Sequence, residues 1–105
     1  MSDTVEITLN GEALGLKPTL LAFKEINAKC GGFRNALQNV AYDYNAEIIT
    51  QIIASGLGKR VKDVEEPVFK TPQNELIGPV TDFVTILMNG GKRPVDGEEK
   101  KTVSE

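Results

Sequence analysis

The side chains able to do chemistry are few and scattered. The chain has 105 residues, no histidine and a single cysteine, Cys30. Nucleophilic catalysis sets a thiol or hydroxyl beside a base, and no imidazole is present to activate Cys30. Cys30 instead continues a helical spacing with Leu20, Phe23 and Ile26, where a free thiol acts as a small hydrophobe. One cysteine excludes an intramolecular disulfide, and no second cysteine or histidine exists to build a zinc site. Glu65 and Glu66 are adjacent, beside Pro67. Neighbouring acids in a loop do not converge on one reacting atom, so acid–base catalysis is not expected there. No catalytic residue, metal site or cofactor is expected.

Gly56-Leu57-Gly58-Lys59-Arg60 shares glycine and lysine with a phosphate-binding loop. It lacks the GxxxxGK[ST] spacing and follows a helical segment, whereas that loop follows a strand. A helix terminator with solvated charges is the better reading. Lys59, Arg60 and Lys62 raise a helix-turn-helix alternative, but the helix before them is aliphatic and starts with Glu47. The net charge of −3 also argues against nucleic acid and anionic membranes as partners.

What remains is contact chemistry. Ile48, Ile49, Ile52 and Ile53 make a stripe two residues wide. One column suffices to pack on a neighbouring helix; the second completes a small core or faces a partner. Tyr44 extends an apolar stripe while Tyr42 falls off it, and the two serve either helix-end packing or partner contact. These six residues are the candidate partner-binding set.

The elements that must position them follow from periodicity. Val5, Ile7 and Leu9 alternate with polar residues and run into Asn10-Gly11, the strongest short signal for a two-residue hairpin turn. That turn sets Ile7 opposite Leu14 and Val5 opposite Leu16, giving the ribbon one apolar face. Pro18 and Thr19 mark the entry of a helix carrying Leu20, Phe23, Ile26, Asn27 and Cys30, which Gly31-Gly32 ends. A second helix from about residue 33 carries Phe33, Ala36, Leu37, Val40, Ala41 and Tyr44. Asp43 or Asn45 caps a third, with Ile48, Ile49, Ile52, Ile53 and Leu57, closed by Gly56 and Gly58.

Residues 59–70 are charged; Pro67 and Pro72 bracket an extended Val68-Phe69, and a short helical turn is expected at Val61 and Val64. Thr71-Pro72 opens a last helix with Leu76, Ile77, Val80, Phe83, Val84, Leu87 and Met88. Gly78-Pro79 lies inside it and predicts a kink there or a start delayed to Gly78. Asn89-Gly90-Gly91 stops it.

The expected fold class is α+β and mostly helical: an N-terminal hairpin on a bundle of about four helices, as one domain over 4–91. Residues 92–105 are expected to be a disordered charged tail, holding only Val95 and Val103 as aliphatics. With 6% aromatics and no tryptophan, the core must be largely aliphatic. Residues 1–20 show no signal-peptide pattern and no apolar run of membrane-spanning length occurs. A reducing cytoplasm is the expected compartment.

The order of VEITLNGEALGLKPT, LLAFKEINAKCGGF and NAEIITQIIASGL resembles the phage tail assembly chaperones of the gene-transfer-agent tail protein family. Members of that family open with a hairpin and a helix ending at a glycine break. A short helix and a capped helix of the form xAxIIxxIIxxGL follow. The resemblance covers residues 5–57 and is loose beyond Gly58. It implies a phage or prophage morphogenesis protein in the bacterial host cytoplasm that coats the tape measure protein until tail tube subunits polymerise. It implies no catalytic residues; the major tail protein and further copies of the chain are additional partners. A structural tail tube component is the alternative, though a tube subunit should supply long strands. A small acidic DNA-binding regulator is the second alternative.

Overall fold

The computed structural model describes residues 3–92. It is α+β and mostly helical: a two-stranded antiparallel hairpin, β1 (Val5–Leu9) and β2 (Glu12–Leu16), precedes five helices. The register pairs Val5 with Leu16 and Ile7 with Leu14, as the Asn-Gly turn requires. Asn10 and Gly11 both take positive φ, 51° and 88°, matching the right-handed twist of the flanking strands. Val5, Ile7, Leu9 and Leu16 are buried on the inner face.

Helix α1 (Leu20–Lys29) is capped by Thr19, whose hydroxyl accepts from the Ala22 amide at 3.1 Å. Its buried face is Ala22 and Ile26, leading into Cys30; Leu20 and Phe23 point outward instead. The expected stripe is thus rotated. Small Ala22 allows close approach to the next layers, and Ser55 fixes the face by donating to Glu25 Oε1 at 2.9 Å.

Helix α2 (Phe33–Ala41) buries Ala36 and Val40 but ends before Tyr44, which sits outside it at φ 51°. An asparagine pair accounts for this break. The Asn45 amide donates to the Asn39 carbonyl at 2.8 Å, and the Asn45 side chain turns to cap α3 (Ala46–Leu57), accepting from Glu47 and Ile48. Capping a new helix opposes continuing the old one.

At the far end of α3, Gly58 adopts the left-handed conformation at φ 71°, and Lys59 N–H reaches back to the Ala54 carbonyl at 2.9 Å. That is the Schellman closure expected of this glycine. Gly56 has a different role from helix closure. It lies within α3, and a Cβ there would come within 2.9 Å of Leu16 and 3.0 Å of Phe83. The Lys17 amide also donates to the Gly56 carbonyl at 2.9 Å, pairing an acceptor that a helix end otherwise leaves unmatched. The hairpin is seated on α3 through this glycine.

The segment expected to be extended is helical. α4 (Val61–Phe69) includes Pro67, Val68 and Phe69, so five helices stand where about four are expected. Pro67 removes one intrahelical bond near the C-terminal end. Thr71 ties off the helix end just beyond it: its hydroxyl donates to the Pro67 carbonyl, one of the acceptors a helix end leaves open, at 2.8 Å and accepts from the Asn10 amide at 2.7 Å. Thr71 does not cap α5 (Gln73–Met88), which opens from Pro72 without a side-chain cap. That last helix starts well before Gly78 and carries Pro79 inside it.

The core joins β1, β2, α1, α2, α3 and α5 around Leu16, Ile26, Ile52, Leu76 and Phe83, with α4 packed on α3. Among the described residues Phe83 is its only aromatic member. Apart from Lys92, the tail expected over 92–105 lies outside the described residues. No helix among those described is long and apolar enough to cross a membrane.

Candidate functional site

Helix α3 carries too many isoleucines for one flank. Ile49, Ile52 and Ile53 are fully buried, so the fold withdraws these three candidate partner-binding residues from the surface. Ile48, one turn before Ile52 at the edge of the same stripe, is only half-buried. It lines a cleft of about 450 Å³ between α3 and α4, with Val61, Val68 and Phe69 as its other large apolar residues. Phe69 is 85% exposed. Leaving a phenylalanine in water forgoes about 1.5–3 kcal/mol of burial, so its place at the end of α4 has no stabilising role within this chain.

The reason for an open cleft is the shortness of the cover. α4 has nine residues and packs chiefly on α3. Val64 and Val68 reach the core, while Val61 and Phe69 are left at the rim. Lys29, Glu47, Glu65, Thr50 and Gln51 supply the polar lining. The Thr50 hydroxyl donates to the Ala46 carbonyl at 2.7 Å, and the Gln51 amide donates to Ser55 at 3.0 Å.

A second apolar hollow, about 290 Å³, lies between the start of α1 and the end of α5, lined by Leu20, Phe23 and Leu87 with Pro18 and Gly91. Phe23 leans on Phe33 with ring centroids 5.0 Å apart. Leu20 is 72% exposed. Thr19 supplies the one polar side chain of this lining, whereas the α3–α4 cleft is bordered by charge.

Tyr42 and Tyr44 lie together in the turn between α2 and α3, both exposed and outside either cleft. The Tyr44 carbonyl accepts from the Gln73 side chain at 3.0 Å, tying this turn to the start of α5. Of the six candidate residues, only Ile48 belongs to the cleft. Val61, Val68 and Phe69 were hidden by Pro67, although Val61, Val64 and Val68 stand at i, i+3 and i+7, a helical signal.

Cys30 is buried, and that burial pushes its thiol above the ordinary range. A thiol held neutral is a weak nucleophile and metal ligand. Among the described residues no group of three or more Cys, Asp or Glu side chains is placed to hold a metal ion. A scan against protein-family models finds no match, and searches of curated proteins and of solved structures also return none.

Proposed function

We propose that this chain is a non-enzymatic binding protein of phage or prophage tail morphogenesis, a chaperone that holds the tape measure protein during assembly. The observation that carries the reading is the α3–α4 cleft, where Ile48, Val61, Val68 and the exposed Phe69 form an apolar floor open to another chain. Amphipathic helices dock their apolar face into such grooves. The resemblance of residues 5–57 to tail assembly chaperones supplies the partner, a long helical protein in need of cover.

Coating and release call for moderate affinity over repeated short stretches, and a nine-residue helix closing one side of a shallow cleft suits that use. A tail tube subunit would need longer strands than the five-residue β1 and β2. Co-expression with a phage tape measure protein tests the proposal. The expected result is a rise in that protein's soluble fraction and its co-purification with the chain. A soluble fraction unchanged by co-expression would overturn it.

A further inference from the structure

We propose that the α3–α4 cleft selects an amphipathic helix whose apolar stripe is bordered by Lys or Arg, with Glu47 and Glu65 as the groups that read those cations. The inference names the partner chemistry of the surface proposed above and rests on that reading for its biological setting.

The acids of α4 divide by the face they occupy. Asp63 pairs with Arg60 at 3.2 Å and Glu66 with Lys70 at 3.1 Å. Glu65, which lines the cleft, has no ion pair or side-chain hydrogen bond among the described residues, and neither has the Glu47 side chain. The two carboxylates beside the apolar floor are therefore free, while the other two acids of α4 are paired. Lys29 is the one cation in the lining. It occupies the last turn of α1, where the helix dipole favours positive charge. Glu47 has the matching reason in the first turn of α3; Glu65, in mid-helix, has none.

The cleft thus presents two unpaired acids and one base around Ile48, Val61, Val68 and Phe69. A helix laid on that floor brings its flanking residues next to Glu47 and Glu65. Docking excludes water there, so opposite charges at those flanks gain more than an exposed pair would. Like charges would be pressed together, and that rejects wrong partners.

The test uses the full chain and three synthetic 18-residue peptides, followed by fluorescence anisotropy at low and moderate salt. One peptide carries a leucine stripe bordered by lysines, one the same stripe bordered by glutamates, and one scrambles the lysine peptide. The lysine-bordered peptide should bind about tenfold tighter than the glutamate-bordered one, the size of two modest charge pairs. Phe69→Ser should weaken it at least tenfold. The double variant Glu47→Gln, Glu65→Gln should bring the two stripe peptides within threefold and flatten the salt dependence. Equal binding of all three peptides, or binding indifferent to Phe69→Ser, overturns the proposal. A concentration-dependent dimer that Phe69→Ser abolishes would assign the cleft to a second copy and also overturn it.

The two readings fail separately. Tape measure co-purification that survives Phe69→Ser and the double glutamine variant removes the cleft assignment and leaves the chaperone role. Charge-selective peptide binding with no effect on the tape measure protein does the reverse.

Discussion

The two flanks of α3 are built from the same kind of residue and end in opposite states. Toward the hairpin, α1 and α5, Ile49, Ile52 and Ile53 are sealed, and Gly56 lets Leu16 and Phe83 close to within 3.0 Å of a would-be side chain. Toward α4, Ile48 and Val61 are half-covered and Phe69 is open. The difference lies in the number of layers. Four elements, β2, α1, α2 and α5, pack on α3 away from the cleft, whereas one short helix forms the far wall of the cleft. An isoleucine is core or docking surface according to how many elements close over it.

The largest effect should come from the sealed flank. Ile52→Ala should cost about 2–5 kcal/mol in urea unfolding, because a cavity is left that the surrounding elements cannot fill. Ile48→Ala should cost less than about 1 kcal/mol, since a half-open site has less burial to lose. Comparable losses at the two positions would remove the distinction between the flanks.

Next comes the close approach at Gly56. Gly56→Ala should destabilise by about 1–3 kcal/mol through overpacking against Leu16 and Phe83, despite alanine's better helix propensity. A stabilised variant would show that β2 can retreat from α3. Thr71→Val removes the hydroxyl bridging the Asn10 amide and the Pro67 carbonyl and should cost about 1–2 kcal/mol. Hydrogen exchange at the Asn10 amide should speed up in the same variant and supply an independent check.

Cys30 sharpens the comparison by pH. Its thiol is raised by burial, so the folded chain keeps a proton that the unfolded chain releases more readily. The stabilisation from Cys30 is intact below the ordinary thiol pKa, about 8.5, and is lost as the pH rises above it toward the folded value. The stability gap between the wild type and Cys30→Ala should therefore narrow between pH 7 and 10. A constant gap would mean the thiol is not shielded.

The smallest effect belongs to the open flank. Phe69→Ser should leave unfolding within about 0.5 kcal/mol of wild type, as surface changes do. A clear loss of stability would show that Phe69 packs in this chain and is not held for a partner.

Local chemistry made much of the scaffold legible. Asn10-Gly11 dictates a two-residue turn, and the turn dictates which strand residues face each other. Thr19, Asn45 and Gly58 mark helix ends by the hydrogen bonds or φ that their types permit. α4 was hidden because Pro67 usually argues against a helix, yet near the C-terminal end it costs a single bond, and the Thr71 hydroxyl closes that end by donating to the Pro67 carbonyl. That hydroxyl also joins the hairpin turn 61 residues away, a contact no sequence window contains.

By itself the sequence determined the hairpin and its register, most helix ends, an aliphatic core and the surplus of isoleucine on α3. Such features depend on bonds between residues a few positions apart. Only the tertiary structure decided which face of α1 turns inward, that Gly56 is a contact point, and that Ile48 with Phe69 stays open while Ile52 is sealed. Burial is set by how many distant elements converge on a side chain, and periodicity carries the shape of a face without carrying what will cover it.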